Sequence, residues 1–442
     1  MAESTADRVR RVRPFSVEGS LARVTGHELE LRGLRLSVGD TITVATADGD
    51  RPGEVVALGS DGARALILGE SAGLARGDRV RLRDGGVTAV VSPALVGRVI
   101  DGLGRPLDGG PPIVGEAVPL DASIPSPLAR RRITEPLPVG VRLIDTLATA
   151  GRGQRVGVFA GSGVGKSTLL GMMARGTAAD VNVVALIGER GREVREFIED
   201  DLGAEGMART VVVVATSDQP PLVRLRAGFL ATRIAEWFAD GGVDVLLLLD
   251  SLTRLAMAQR DVGLAAGEPP TSRGYTPSVF TLLPRLLERA GPREHGTITG
   301  FYTVLVEGDD MNDPIADSAR SILDGHLVLD RRLTTIGRYP PIDPLASLSR
   351  LASKVITPEQ QAAATALRTV LAAAEEVRDL VEVGAYVRGT NPTADRGLAL
   401  QGELHAFLSQ HMSERCSYED AWRAATALAA LATGTGEEGD GG

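Results

Sequence analysis

Cysteine is almost absent: Cys416 is the only one in 442 residues. One thiol cannot build a disulfide framework, and the chain suits a reducing compartment. Aromatic residues are scarce at 3%, and Phe15 is the only one before Phe159. The N-terminal part therefore lacks the stacking platforms that single-stranded nucleic acid needs. Long apolar runs are missing as well. Runs such as Val245–Leu249 fall far short of the roughly 20 residues that cross a bilayer. Arg8, Arg10, Arg11 and Arg13 have no hydrophobic segment behind them and do not read as a signal peptide. The expectation is a soluble, cytoplasmic protein. Lysine is the most telling scarcity: of 48 basic residues, only Lys166 and Lys354 are lysine. Arginine is a planar fork and lysine a compact point charge, so each lysine calls for its own reason.

What is present points to a multidomain globular chain. Hydrophobic residues make up 43% and charged residues 24%, enough to bury a sizeable core, and the length suggests two to four domains. A net charge of −9 argues against a surface that grips nucleic acid throughout.

Four stretches follow a basic segment at 1–13. Residues 14–92 carry short alternating runs broken by glycine turns, among them Leu29-Glu-Leu-Arg, Thr41-Ile-Thr-Val and Arg79-Val-Arg-Leu. This pattern suits a small antiparallel β-barrel. The segment has more acidic than basic side chains, so packing against copies of itself is a better use for it than nucleic acid. Residues from 93 to about 150 are rich in Gly and Pro and read as connection wrapped over the next domain. From there to 353, strand-like and helix-like segments alternate. Thr210–Ala215 and Val243–Leu249 are near-continuous Val/Leu runs, as in strands buried on both faces of a parallel sheet. The expected architecture is an α/β core with a mostly parallel sheet, between the barrel and a C-terminal helical domain at 354–432. That last domain opens on Thr357-Pro358-Glu359-Gln360, a capping threonine, a proline at the first helical position and a glutamine at the third. Helices are expected there to Gly384, over Thr393–His411 and over Ser417–Ala432. Residues 433–442 are Gly/Glu/Asp-rich and read as a disordered tail.

The sharpest motif is Ala160-Gly161-Ser162-Gly163-Val164-Gly165-Lys166-Ser167-Thr168. Glycines let successive backbone N–H groups turn inward toward phosphate, and a helix starting at Lys166 adds its positive end. Lys166 reaches the β- and γ-phosphates and Ser167 ligates Mg²⁺. Ala160 stands where the pattern usually has its first glycine, but the strand before and the helix after supply the required setting. Asp250 ends a buried strand at the edge where such sheets bind ligands, placed to hold the magnesium shell through water. Glu189, just past the strand Val181–Ile187, is the preferred water-activating carboxylate. Glu193 is the alternative, although it looks like first-turn helix chemistry. Arg190 either meets the γ-phosphate or pairs with an acid.

Together these motifs resemble the rotary hexameric ATPases, which implies that the α/β core is of the phosphate-loop (P-loop), RecA-like kind. The likeness rests on the phosphate loop, Gly188-Glu-Arg-Gly-Arg-Glu-Val194, Asp250-Ser-Leu-Thr-Arg254, Gly267-Glu-Pro-Pro270 and Gly274-Tyr-Thr-Pro-Ser-Val-Phe280. Val306-Glu-Gly-Asp-Asp-Met-Asn-Asp-Pro314 and Pro340-Pro-Ile-Asp-Pro-Leu-Ala-Ser-Leu-Ser-Arg350 extend it. The greatest similarity is to the type III protein-export ATPases, flagellum-specific ones above all, over about residues 15–430. The resemblance implies that Lys166, Ser167, Glu189, Arg190, Asp250 and Arg254 line the catalytic site, that Tyr339 stacks on adenine, and that Arg350 is an arginine finger for a neighbouring subunit's ATP. It implies ATP as substrate, Mg²⁺ as cofactor and hydrolysis at subunit interfaces of a homohexamer that energises protein export at the cytoplasmic face of the inner membrane. It further implies a stator-like peripheral protein, a coiled-coil stalk, export-gate membrane proteins, and export chaperones with their substrates as partners. Arg8–Arg13 fits either an amphipathic contact or a solvated tail. The alternatives are the catalytic β subunit of a rotary ATP synthase, a virulence-type secretion ATPase, a non-catalytic nucleotide-binding subunit and an RNA-translocating hexamer. The first of these lacks its acidic C-terminal motif here. Intact Lys166 and Glu189 oppose the non-catalytic reading, and the aromatic-poor N-terminal domain opposes RNA.

Overall fold

A computed structural model describes residues 17–83, 86–122, 124–306, 310 and 313–434. The Arg8–Arg13 segment, residues 435–442 of the tail and most of the 307–312 stretch lie outside these. Six strands open the described chain: β1 (Glu18–Thr25), β2 (Glu28–Arg32), β3 (Thr41–Thr46), β4 (Gly49–Gly59), β5 (Gly62–Ile67) and β6 (Arg79–Leu82). They close into a barrel in the order β1-β2-β5-β4-β3-β6. Alternation drives the closure. Leu29, Leu31, Ile42, Val44, Val55, Ala65, Ile67 and Val80 share one interior cluster, while intervening residues face outward. β1 offers the sequence almost no pattern, since Leu21 is its only buried residue.

The Gly/Pro-rich stretch proves to be more than connection. β7 (Thr88–Val91) and β9 (Glu116–Pro119) form a two-stranded ladder, β8 (Val99–Asp101) pairs in parallel with an edge of the central sheet, and α1 (Arg142–Leu147) is buried. Strands of three or four residues are too short to show a period, so hydrophobic pattern does not reveal them.

The central sheet is formed by β10 (Arg155–Ala160), β11 (Val181–Ile187), β12 (Thr210–Ala215), β13 (Asp244–Asp250), β14 (Gly291–Pro292), β15 (Thr297–Leu305), β16 (Gly325–Leu329) and β17 (Ile342–Ser349), together with β8. Its order is β17-β16-β10-β15-β13-β11-β12-β8, with β14 beside β15. Pairings are parallel except β16 with β17 and β14 with β15. The continuous apolar runs now divide by alternation. Val184, Leu186, Leu246 and Leu248 face one layer, with α1 and α2 (Lys166–Gly176). Val183, Ala185, Leu247 and Leu249 face the other, covered by α5 (Pro221–Asp240), α6 (Leu252–Ala266) and α7 (Pro277–Leu287). Between β11 and β12 run α3 (Gly191–Glu196), a π-helical turn at Phe197–Leu202 and α4 (Gly203–Met207). α8 (Pro314–Ile322) and α9 (Arg331–Thr335) flank β16, and the short α10 (Ala352–Val355) follows β17.

The C-terminal helices are α11 (Pro358–Glu382), α12 (Pro392–Ala399), α13 (Gln401–Leu408) and α14 (Tyr418–Thr433). Thr357 and Gln360 cap each other reciprocally at the start of α11, at 3.0 and 3.3 Å. The single helix expected over Thr393–His411 breaks at Leu400, whose backbone sits at φ −93, ψ 13. α14 extends to Thr433, into the stretch read as tail. Leu367, Val370, Leu404, Phe407 and Trp422 join the same apolar layer as Val156 and Leu170. The C-terminal helices therefore rest on the side of the sheet that carries the phosphate-loop helix.

Candidate active site

The glycine-rich loop fills the gap between the last residue of β10, Ala160, and the first of α2, Lys166. Gly163 and Gly165 adopt φ of +74 and +93, values that side chains beyond glycine rarely tolerate. Buried Val164 anchors the loop. Arg331 donates to the Ser162 carbonyl at 2.8 Å and braces it from outside. Gly161 and Ser162 border a cleft of about 490 Å³ that Arg254, Arg260, Arg273 and Arg331 also line. The orphan N–H groups at the start of α2 give this end of the sheet an anion-attracting character.

Three charges meet beside the loop. Lys166 Nζ is hydrogen-bonded to Asp250 Oδ1 and lies 3.3 Å from Glu189 Oε1. Asp250, 1% exposed at the end of β13, also accepts from Thr303 Oγ1 at 2.7 Å. Burial pushes the Glu189 carboxyl up to about 6; the Lys166 ammonium opposes this and the Asp250 carboxylate reinforces it. For Lys166, burial works against the charge, but Asp250 and Glu189 outweigh it and raise the ammonium above its ordinary value. Gly188 makes the crowding possible: with φ +74, it passes so close to Arg254 that an added Cβ would sit 2.9 Å from that residue's Cβ. Arg254 thereby lies against the loop that carries Glu189. Ser167 and Thr168 follow Lys166 in the first turn of α2, and Thr168 hydrogen-bonds Asp201 of the π-helical turn.

Two expected residues stand apart. Arg190 is largely exposed and pairs with Glu193 at 3.6 Å, so of its two readings the structure displays the acid pairing. Glu193 in turn accepts from the Arg190 backbone N–H at 3.3 Å, holding the first turn of α3. Tyr339 flanks the phosphate loop, its Cε1 3.7 Å from where a Cβ on Gly165 would be. Arg350 lies at the opposite end of the sheet. Its N–H bonds the Asp324 carbonyl, and the Asp324 N–H bonds the carbonyl of Arg155, the first residue of β10. Five strand steps separate Arg155 from Ala160, about 16 Å at ordinary strand rise.

This arrangement of phosphate loop, buried lysine and paired carboxylates has close relatives. Residues 140–349 match the nucleotide-binding domain of the ATP synthase alpha/beta family, and residues 356–426 match the EscN ATPase C-terminal domain of type III secretion systems. The flagellum-specific ATP synthase of Bacillus subtilis is 48% identical over 431 residues, covering 96% of this chain and 98% of that protein. The chain belongs to the flagellar and type III secretion ATPase family. The type 3 secretion system ATPase of Xanthomonas euvesicatoria is 51% identical over 91% of this chain and 92% of its own. Among solved structures, the assembled EscN ATPase of enteropathogenic E. coli superposes with a TM-score of 0.89 at 43% identity, covering 93% of this chain and all of that one. Membership makes the chain an ATPase and accounts for its barrel, sheet and helical parts.

Residues that the sequence did not single out also shape the site. Thr303 supports Asp250 from β15, Asp201 meets Thr168, and Gln410 touches Tyr339 through the backbone. Each lies dozens of positions from its partner, and no local motif marks it.

Proposed function

We propose that the chain hydrolyses ATP at sites completed between copies of itself in a ring, a homohexamer, and thereby energises protein export of the flagellar type. The observation that carries this is the geometry of β17. Tyr339 precedes it beside the chain's own phosphate loop, while Arg350 follows it at the far end of the sheet. With its backbone about 16 Å along the strand direction from the loop and its guanidinium donating to the Arg320 carbonyl at 3.3 Å, Arg350 does not serve its own γ-phosphate, and we assign it to a neighbour's.

Within one site, the N–H groups of Gly161–Gly165 and the start of α2 hold the β- and γ-phosphates. Lys166 exchanges its carboxylate partners for phosphate oxygens, and Thr168 closes the first turn. Tyr339 stacks on adenine. Ser167 and, through water, Asp250 supply the hard oxygen donors suited to Mg²⁺, an ion that keeps several waters and needs no all-protein cage. When bound, that ion neutralises charge on the β- and γ-oxygens. Glu189, held above the usual carboxylate range yet mostly ionised at neutral pH, orients water and accepts its proton. Arg254 faces the departing γ-phosphoryl, Arg190 stays with its acid partner Glu193, and the neighbour's Arg350 completes the charge neutralisation.

The names of the relatives support the export role, and the solved complex of assembled EscN with its central stalk EscO supports self-assembly and a stalk partner, which we take to be a coiled coil in the ring. A stator-like protein, export-gate membrane proteins, chaperones and cargo complete the proposed setting, at the cytoplasmic face of the inner membrane. A virulence-type secretion ATPase is the second reading, favoured by the Xanthomonas relative at 51% identity. Affinity capture from the native cell tests both. Co-purifying flagellar export components support the first reading, virulence-secretion components the second, and synthase subunits refute both.

A further inference from the structure

The loop joining α13 to α14 belongs to the C-terminal helices yet reaches the nucleotide wall. The Gln410 backbone N–H donates to the Tyr339 carbonyl at 2.6 Å. The Gln410 side chain is 3% exposed and bonded at both ends. Its Oε1 accepts from the Arg142 backbone N–H at 2.8 Å, and its Nε2 donates to the Gly140 carbonyl at 2.8 Å and the Glu414 carbonyl at 3.1 Å. Gly140 lies against the end of the phosphate-loop helix; a Cβ on it would come 2.7 Å from Gly176 Cα. The Arg142 guanidinium closes the joint from outside, donating to the Phe407 and Ser409 carbonyls at 3.1 and 3.2 Å and pairing with Glu414. One buried amide thus touches the start of α1, the residue packed on the end of α2 and its own loop, while its backbone meets Tyr339.

We infer that Gln410 is a positioning residue for the adenine wall, acting through Tyr339. Tyr339 is 47% exposed, so side-chain packing alone fixes it weakly and its backbone anchor sets where it stands. The loop that supplies this anchor cannot shift without breaking the bonds of the Gln410 amide, itself 3% exposed, to the Arg142 N–H and the Gly140 carbonyl, and an unsatisfied buried amide is costly. Adenine affinity is therefore set partly by the C-terminal helices, whereas the phosphate loop is held independently by Val164 and Arg331. The inference rests on the proposed stacking role of Tyr339.

The test compares Mg·ATP with inorganic tripolyphosphate, which has the phosphates but no base, on the full-length protein. Gln410→Ala should weaken ATP about tenfold, seen as a raised KM with little change in kcat, and leave tripolyphosphate affinity within about twofold. A purely structural role would weaken both probes equally and overturn the inference. In a double-mutant cycle, Gln410→Ala should add nothing once Tyr339→Ala is present; additive losses would also overturn it. If Tyr339→Ala leaves ATP affinity unchanged, the stacking reading itself fails. If Tyr339→Ala weakens ATP and Gln410→Ala does not, stacking stands and the role of Gln410 falls. Should Gln410→Ala not fold, Glu414→Ala at the more exposed rim takes its place. Loss of ATP affinity alone supports the joint, and unchanged ATP affinity refutes it.

Discussion

Glu189 and Lys166 show how one desolvated corner treats opposite charges. Burial raises the carboxyl to about 6, yet the ammonium beside it remains charged because two carboxylates face it. Replacing Glu189 by Gln keeps the shape and removes the proton acceptor. Turnover should fall by at least about 10²-fold while nucleotide binding persists, read by phosphate release and by nucleotide titration; undiminished hydrolysis would reject the role. The raised carboxyl also fixes a direction with pH. Below about 6 the group carries a proton and cannot accept another, so kcat/KM should decline as pH falls through that region and level off above it. A profile flat from 5 to 8 would contradict the assignment. Glu189, Asp250 and Lys166 could be read from the sequence because each occupies a strand end or loop that the local pattern marks. Thr303 and Asp201 could not, because their meaning lies in a contact made across the sheet or between helices.

Between elements, a buried ion-pair cluster joins α5 to the segment after α7. Glu236, with no exposed surface, accepts from Arg289 Nε and Nη2 at 2.8 and 2.7 Å and pairs with Arg293 at 2.9 Å. Arg289 also bonds the Leu120 carbonyl just past β9, so the cluster ties the Gly/Pro-rich stretch to two helices. Glu236→Ala would strand a guanidinium that is 1% exposed and should cost about 3–5 kcal/mol, measurable by denaturant unfolding; a loss under about 1 kcal/mol would refute the cluster's importance. Strand and helix identities in the core were legible because runs such as Val245–Leu249 have the length and composition of strands buried on two faces. β8 and β1 were not legible. The first is three residues long, and the second buries only Leu21, so neither carries a period.

In the whole molecule, β17 joins two residues that lie apart in space, Tyr339 beside the phosphate loop and Arg350 at the far end of the sheet. Arg350→Ala should lower turnover by about 10³-fold or more. Mixing supplies the sharper measurement. A Lys166→Ala chain still offers its Arg350 to a neighbour, and an Arg350→Ala chain still has an intact phosphate loop. Two nearly inactive preparations should therefore regain activity when combined and allowed to assemble; no recovery would argue that each chain works alone. By itself, the sequence determined the phosphate loop, its strand and helix, the acidic partners and the order of barrel, sheet and helices. These depend on local geometry and on apolar spacing, which neighbouring residues encode. Only the tertiary structure decided that Arg350 stands away from its own loop, that β8 extends the sheet, and that Gln410 holds Tyr339. Those facts arise from register and from packing between segments up to hundreds of residues apart, where no short-range pattern carries the information.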